Sequence, residues 1–270
     1  MKTLLQPHFD IRFGRFTPEA GVFLLTLNER GDLVIPTDGS MAAPLVRLEK
    51  QQSDLLYVAH WQSVALFVSQ REAAEGETLL PLRDLAAQDE ALFSLCGRAR
   101  QLLVWRQNHR FCGRCGAENT GMENEQALRC PSCELSHYPR LMPCVMALIV
   151  KGDECLLACH KARNQWWTTL AGFVEAGESL EEALYREIRE EVDLEIKSHQ
   201  FFASQAWPFP GQLMVGFYVE VAEGDIRIDE DELESAKWFY RDSLPIVPPS
   251  FTLSGQLIEG FASGNMPAGN

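Results

Sequence analysis

The sequence lacks any apolar run long enough to cross a membrane. Its longest strongly apolar stretch is CVMALIV at residues 144–150, whereas a transmembrane helix needs about 20 apolar residues. The first ten residues, MKTLLQPHFD, do not form a signal peptide, because their apolar run is short and Pro7 follows it at once. We therefore expect a protein of the cytoplasm with no membrane partner.

The sequence is also short of positive charge. It has 24 Lys and Arg residues against 38 Asp and Glu residues, which gives a net charge of −14 over 270 residues. This balance argues against broad electrostatic binding to nucleic acid or to an anionic membrane, so any RNA contact must be local. Internal repeats and low-complexity segments are absent too, which argues against a solenoid or a disordered chain.

Eight cysteines are present, and half of them follow a metal-binding spacing. Two C-x2-C pairs are separated by fourteen residues: Cys112, Cys115, Cys130 and Cys133. Four thiolates suit a closed, tetrahedral, structural Zn²⁺ site, with one zinc per chain. A redox C-x2-C is the alternative, and zinc ribbons also bind nucleic acids and proteins. The other four cysteines lie among apolar residues and are expected to be buried thiols: Cys96, Cys144, Cys155 and Cys159.

The pattern of apolar residues predicts three domains. Residues 1–105 form a small β-rich domain whose predicted strands include GVFLLTL, DLVI and LLYVAHW, and a helix over 89–108 leads out of it. Residues 106–141 form the zinc ribbon. Residues 142–270 form an α/β (α+β) domain, in which a hairpin of CVMALIV and CLLACH and further strands flank one strong helix. Trp166 and Trp167 are expected in its core.

That strong helix carries acids on its apolar side. Ser179 and Glu182 form a capping box at its start, and at about 100° per residue Glu187 and Glu191 fall within the arc of leucine, isoleucine and valine. Glu190 lies at the edge of this arc. Like charges at i and i+4 repel and an unpaired buried carboxylate is destabilising, whereas a hard divalent cation would stabilise the pair. A solvated run of charge is the alternative interpretation.

Gly172, Glu178 and REIREE (186–191) complete a longer motif. It resembles the Nudix box, G-x5-E-x7-R-E-U-x-E-E-x-G-U, except that Asp193 replaces the second glycine. With the zinc ribbon before it and SQAWPFP (204–210) after it, the chain resembles the NADH pyrophosphatase (NudC-like) family, whose tag has a proline where Ala206 stands. The resemblance implies a Nudix α/β/α sandwich with a mixed sheet. Asp adopts the left-handed conformation more readily than most residues, so we expect Asp193 to retain activity at a small loss of stability.

The resemblance also implies an activity and its residues. Family members hydrolyse NAD(H) to AMP and nicotinamide mononucleotide, remove NAD caps from RNA 5′ ends, and form homodimers. The implied catalytic residues are Glu187, Glu190 and Glu191, with Mg²⁺ or Mn²⁺ held by Ala171 (carbonyl), Glu187, Glu191 and Glu232. The implied substrate contacts are Gln205, Ala206, Trp207, Pro208, Phe209, Pro210, Gly211, Gln212, Tyr138, Glu125 and Arg83. Arg186 is expected to pair with Glu178 rather than to act in catalysis.

Several alternatives stay open on the sequence. Glu190 could bind metal or orient the attacking water, and Trp207 and Phe209 could stack on a base or simply pack in the core. Tyr138, Glu125 and Arg83 could be ordinary surface residues. An ADP-ribose or dinucleoside polyphosphate hydrolase is a second hypothesis, and a non-catalytic nucleotide- or RNA-binding protein is a third.

Overall fold

The computed structural model describes residues 9–11, 22–37, 46–48, 55–61, 64–122, 125–161 and 166–266. Most of the first ten residues, on which the signal-peptide prediction rests, lie outside this described part. The chain divides into two compact units, Met1–Arg140 and Leu141–Asn270. The finer division of the first unit at residues 105 and 106 remains a prediction. Within the described ranges, no helix combines the length and apolar character that crossing a membrane requires.

The first unit begins with a six-stranded sheet, as the short apolar runs predicted. The strands are β1 (Val22–Leu27), β2 (Leu33–Pro36), β3 (Val46–Leu48), β4 (Leu56–Trp61), β5 (Val64–Gln70) and β6 (Glu77–Leu80). Their order is β4-β5-β1-β2-β6, with β3 also paired to β1. Two helices follow, α1 (Leu82–Ala86) and α2 (Glu90–Asn108), and the Asp89 side chain caps α2 by accepting from the Leu92 N–H.

The cysteine-rich segment forms a small sheet of its own. Its three strands are β7 (Thr120–Gly121), β8 (Leu128–Arg129) and β9 (Ser136–His137), paired in that order. Such short strands bury little apolar surface, and small domains of this kind usually need a metal or disulfides for stability.

The second unit is built on a seven-stranded mixed sheet. Its strands are β10 (Met142–Lys151), β11 (Glu154–His160), β12 (Trp167–Thr168), β13 (Leu170–Phe173), β14 (Ile196–Trp207), β15 (Gln212–Val221) and β16 (Leu233–Tyr240). β10 runs parallel to β15 and antiparallel to β11 and β13. The predicted hairpin of CVMALIV and CLLACH is confirmed as β10 and β11.

A helix covers each face of this sheet. α3 (Leu180–Val192) packs one core through Ala183, Leu184, Ile188 and Val192. α4 (Leu253–Ala262) packs the opposite core through Leu253, Leu257, Ile258 and Phe261. The α/β/α sandwich with a mixed sheet is therefore confirmed.

The prediction that both tryptophans of WW are core residues is wrong for Trp166, which is 41% exposed. Trp166 precedes β12, a two-residue strand at the edge of the sheet, and so lies outside the part of the sheet whose two faces the helices cover. Trp167, by contrast, packs beneath α4 with its ring centroid 4.8 Å from that of Phe239. The four cysteines outside the C-x2-C pairs are buried free thiols, as predicted.

Candidate active site and metal centres

The two C-x2-C pairs form matching turns. In each, the N–H of the residue after the second cysteine donates to the carbonyl of the first: Gly116 to Cys112 at 2.9 Å and Glu134 to Cys130 at 3.0 Å. Gly116 and Glu134 both adopt positive φ, of 75° and 61°. The two turns therefore present their sulphur atoms in the same way.

All four sulphur atoms lie within 4.8 Å of one another. Cys112 Sγ is 3.6 Å from Cys133 Sγ, and Cys115 Sγ is 3.4 Å from Cys130 Sγ. Disulfide bonds would need about 2.05 Å, whereas sulphurs around a tetrahedral zinc with Zn–S bonds of about 2.3 Å lie about 3.8 Å apart. Backbone N–H donors lower the pKa of Cys130 to about 6 and that of Cys112 to about 7, whereas burial and hydrogen bonds with the other three sulphurs raise the pKa of Cys133 to about 11. The metal-free cluster therefore favours thiolates at Cys130 and Cys112. The residues fit a structural zinc ion.

Capping interactions fix both ends of α3, the helix that carries the acidic residues. Ser179 accepts from the Glu182 N–H at 3.1 Å and Glu182 accepts from the Ser179 N–H at 2.7 Å, so the predicted capping box is confirmed. At the other end Asp193 adopts φ 57°, ψ 38°, the left-handed conformation that the missing glycine would have taken.

Glu187 and Glu191 point inward as the helical spacing predicted. Glu191 is 2% exposed, and among the described residues its Oε2 accepts no hydrogen bond. Burial first, and then the charges of Glu187, Glu232 and Asp229, raise the pKa of Glu191 to about 8. A buried carboxylate oxygen with no protein donor is suited to bind a cation. The cation would offset the free-energy cost of burying the charge and the repulsion between the neighbouring carboxylates.

The strand that carries Ala171 lies against the Glu187 carboxylate. On β13, Ala171 pairs with Met146 and Gly172 pairs with Val145 of β10. A Cβ atom on Gly172 would overlap the Glu187 carboxylate, so any larger residue there would displace that carboxylate from its position. Gly172 therefore lies beside Glu187, and the metal-binding role of the Ala171 carbonyl stays a prediction.

The Arg186 guanidinium links three carboxylates on and just before α3. It donates to Glu178 at 2.6 and 2.9 Å, to Glu187 at 2.7 Å and to Glu190 at 3.0 Å. It also donates to the Phe173 carbonyl at 2.8 Å. The Arg186 guanidinium holds the pKa of Glu178 at about 2, so the predicted Arg186–Glu178 pair is confirmed. The Arg186 side chain is half-buried among these partners.

The acidic turn before β16 is fastened to the end of α3. The Asp229 N–H donates to the Glu191 carbonyl at 3.0 Å and the Arg227 N–H donates to the Val192 carbonyl at 3.1 Å. This brings Glu232 and Asp229 close enough for their charges to raise the pKa of Glu191. Glu232 is exposed and Asp229 is half-buried, and Asp229 is a neighbour of the site that was not among the predicted site residues.

The SQAWPFP segment ends β14 and continues into a tight turn. Trp207 and Phe209 are half-buried, with ring centroids 5.5 Å apart in an edge-to-face arrangement, and Trp207 packs against the core under α4. Pro208 and Gly211 are buried, whereas Ala206 and Pro210 are exposed and Gln212 is half-buried. The loop is thus partly buried, and its two aromatic rings pack against each other.

Gln205 is bonded at both ends of its amide. Its Nε2 donates to the Phe251 carbonyl at 2.8 Å, and its Oε1 accepts from the Leu253 N–H at 2.9 Å. This side chain therefore fastens the strand to the start of α4.

The remaining predicted residues lie in the first unit. The exposed Tyr138 hydroxyl donates to Glu125 Oε2 at 3.1 Å, and this bond raises the pKa of Tyr138. Arg83 is exposed on α1. The structure brings Tyr138 and Glu125 together and leaves their predicted role a prediction.

Comparison with known proteins agrees with the description of the four-cysteine segment and of the acidic helix. The family model described as NUDIX domain matches residues 140–255, and the one described as NADH pyrophosphatase zinc ribbon domain matches residues 107–138. A Pseudomonas aeruginosa (strain LESB58) protein named NAD-capped RNA hydrolase NudC is 39% identical over 230 residues, which cover 82% of this chain and 83% of that protein. The chain belongs to the NudC family of Nudix hydrolases.

A second relative has the same name. The protein from Pectobacterium atrosepticum is 45% identical over 179 residues, which cover 66% of this chain and 69% of that protein. In this NudC-family chain, Gly172, Glu178 and Arg186–Glu191 are the Nudix box, and α3 is the Nudix helix.

Two features of the site were missed by the sequence analysis. Phe173 follows the Nudix-box glycine and leaves its ring 45% exposed at the end of β13. Ser254 on α4 bonds to Thr169, just ahead of the strand that carries Ala171. The exposed Phe173 could have been suspected from its place beside Gly172, whereas a contact between residues 85 positions apart leaves no local signal.

Proposed function

We propose that this protein hydrolyses the pyrophosphate bond of NAD(H), giving AMP and nicotinamide mononucleotide, and also removes NAD caps from RNA 5′ ends. The observation that carries the proposal is the buried, unsatisfied carboxylate of Glu191 beside Glu187 on the Nudix helix. The names of the NudC relatives support the choice of substrate.

Glu187, Glu191 and the Ala171 carbonyl would hold Mg²⁺ or Mn²⁺, with Glu232 as an additional acid. Such an ion neutralises charge on the pyrophosphate oxygens as the phosphorus–oxygen bond breaks. The donor set is all oxygen, the kind that hard cations prefer. The closed four-sulphur site of the zinc ribbon offers no open position to a substrate.

We assign the handling of the attacking water to Glu190. Its side chain is 59% exposed, and Arg186 Nη1 donates to its Oε2 at 3.0 Å. Glu190 Oε1 accepts a proton as the water oxygen bonds to phosphorus. The bond from that phosphorus to the bridging oxygen breaks, and the departing phosphate keeps the electron pair.

Aromatic rings supply the stacking surfaces of the proposed pocket. Trp207 and Phe209 are half-buried, and Phe173 exposes its ring. Stacking of a base on such a ring contributes about 1–3 kcal/mol, enough to orient a nicotinamide or adenine. Ala206, Pro208, Pro210, Gly211 and Gln212 would shape the loop that holds it.

The remaining assignments rest on the family resemblance. Tyr138, Glu125 and Arg83 are proposed substrate contacts, the cytoplasm is the proposed compartment, and a homodimer is the proposed assembly. Light scattering during gel filtration should give twice the chain mass of 30.4 kDa. A species of 30 kDa at micromolar protein would overturn the dimer.

Product analysis with a panel of substrates tests the function. NADH, NAD⁺, ADP-ribose, diadenosine polyphosphates and NAD-capped RNA are each incubated with enzyme and Mg²⁺, and products are separated by chromatography. We expect AMP and nicotinamide mononucleotide from NAD(H), and 5′-monophosphate RNA from capped RNA. Cleavage confined to ADP-ribose or the diadenosine compounds would favour the second hypothesis, and no cleavage at all would favour a binding protein.

A further inference from the structure

Two pairs of side-chain hydrogen bonds converge on the first turn of α4. One is the pair of bonds from Gln205, at the end of β14, to Phe251 and Leu253. The other joins Ser254 to Thr169, which lies between β12 and β13: the Thr169 N–H and hydroxyl donate to Ser254 Oγ at 3.2 and 3.0 Å. The proposed substrate loop and the strand carrying Ala171 are thus fastened to the same helical turn.

The Ser254–Thr169 tie is fully shielded from solvent. Thr169 is 1% exposed and Ser254 is 4% exposed. Burial of these hydroxyl groups would be unfavourable without the bond between them, so the bond fixes their relative position. Ala171 follows Thr169 by two residues, which transmits that position to Ala171 and to Gly172 beside Glu187.

The turn itself is held firmly. Thr252 caps α4 by accepting from the Gly255 N–H at 3.1 Å, and the Thr252 hydroxyl donates to the Pro249 carbonyl at 2.8 Å. A Cβ atom on Gly255 would overlap the carbonyl groups of Pro248 and Pro249, so the helix start lies directly against this segment. Because this turn is held in place, it can fix the positions of the two chain segments that bond to it.

We propose that Gln205 and Ser254 are positioning residues, which set the proposed metal-binding strand and substrate loop relative to each other through the first turn of α4. This inference rests on the proposed function. On this proposal Gln205 affects how well the protein binds its metal ion. A residue that only contacted the substrate would have no effect on metal binding. The proposed site also extends to Ser254 and Thr169, which touch neither the acids of α3 nor the SQAWPFP loop in any of the bonds described.

Metal binding without substrate separates the two roles of Gln205. Mn²⁺ binding to the full-length protein is measured by electron paramagnetic resonance with no dinucleotide present. We expect Gln205→Met and Ser254→Ala each to weaken Mn²⁺ binding about three- to tenfold, somewhat less than the change when a partner in direct contact with a metal ligand is removed. Because Thr169 and Ser254 act as one unit, the double variant Thr169→Val/Ser254→Ala should bind as weakly as Ser254→Ala, not multiplicatively worse.

Matched variants control for folding. Ser263→Ala removes an exposed hydroxyl at the other end of α4, where it donates to the Glu259 and Gly260 carbonyls and accepts from the Asn265 side chain. Gln88→Met makes the same exchange as Gln205→Met in the first unit, where the Gln88 side chain donates to the Asp84 carbonyl. Both should bind Mn²⁺ as the wild type does. Thermal unfolding of all variants is recorded alongside, since a merely structural role would lower the melting temperature and leave Mn²⁺ binding unchanged.

Glu191→Gln distinguishes the possible failures. If it abolishes Mn²⁺ binding while Gln205→Met and Ser254→Ala bind normally, the positioning role is wrong and the proposed function stands. If Glu191→Gln itself binds Mn²⁺ as the wild type does, the metal assignment beneath both is wrong.

Discussion

The zinc ribbon and the Nudix helix are both built to hold metal, yet they differ in how complete they are. The ribbon brings four sulphur atoms within 4.8 Å of one another. On α3, Arg186 already occupies Glu187 and Glu190, while Glu191 Oε2 accepts no hydrogen bond from the residues described. One site offers a full set of ligands, and the other leaves a carboxylate oxygen unsatisfied.

The difference follows from what each metal would do. A closed tetrahedron stabilises a fold and excludes substrate. An incomplete set of oxygen ligands leaves positions for phosphate oxygens and water, at the expense of stability in the metal-free protein.

Removal of one sulphur should cost the ribbon its structure. Cys130→Ser is expected to lose the single zinc per chain, because structural zinc contributes on the order of 10 kcal/mol to such small domains. Atomic emission measures the zinc and near-ultraviolet circular dichroism the packing. Cys96→Ala, a buried thiol outside the ribbon, should keep its zinc. Retention of one zinc per chain by Cys130→Ser would show that the four sulphurs are not one site.

The Nudix helix should make the metal-free protein sensitive to pH. Burial raises the pKa of Glu191 from 4.5 to about 8, so between these values the folded state holds a proton that the unfolded state has lost. The stabilisation is fully present below about pH 4.5 and is lost as the pH rises through about 8, which amounts to a few kcal/mol.

Denaturant unfolding in buffer free of divalent cations measures this effect. Between pH 5 and pH 8.5, the wild type should lose more unfolding free energy than Glu191→Gln, which has no proton to lose at this position. Equal losses in the two proteins would mean that Glu191 is not the buried acid responsible.

Arg186 can be tested by a substitution that keeps its charge. Arg186→Lys cannot maintain the paired bonds to Glu178 together with those to Glu187 and Glu190. We expect a melting temperature lower by a few degrees and a several-fold lower kcat, measured by calorimetry and NADH turnover. Arg189→Lys on the exposed side of α3 is the control. An unchanged melting temperature in Arg186→Lys would show that the network contributes little.

The smallest effect concerns the end of α3. Asp193 holds φ 57° without the freedom of glycine, and its ion pair with Arg227 is long, at 3.7 Å, and exposed. Asp193→Gly should stabilise the protein by about 0.5–1 kcal/mol and leave NADH turnover unchanged. A lower melting temperature would mean that the carboxylate contributes more than the backbone strain removes.

Local features were predictable from the sequence because they depend on neighbouring residues. The capping box, the inward direction of Glu187 and Glu191, and the left-handed Asp193 all follow from helix geometry over residues 179–193. The C-x2-C spacing likewise predicted the cluster of four sulphur atoms. Helical periodicity alone was therefore enough to predict which face of α3 carries the acids.

Long-range features were not predictable in this way. The bonds from Gln205 to α4 span 46 and 48 residues, and the Thr169–Ser254 bond spans 85. Asp229 reaches Glu191 only because its turn bonds to the end of α3. Trp166 was misassigned because apolar character alone does not show that a residue lies at the edge of the sheet, as Trp166 does just before β12.

The central claim is that Glu187 and Glu191 hold the divalent cation used in hydrolysis. Steady-state cleavage of NADH in Mg²⁺ tests it with Glu187→Gln and Glu191→Gln, and with Glu181→Gln, an exposed acid in the first turn of the same helix, as control. We predict that kcat falls by at least about 100-fold in both of the first two variants and is unchanged in the third. Cleavage at the wild-type rate by Glu187→Gln and Glu191→Gln would contradict the account.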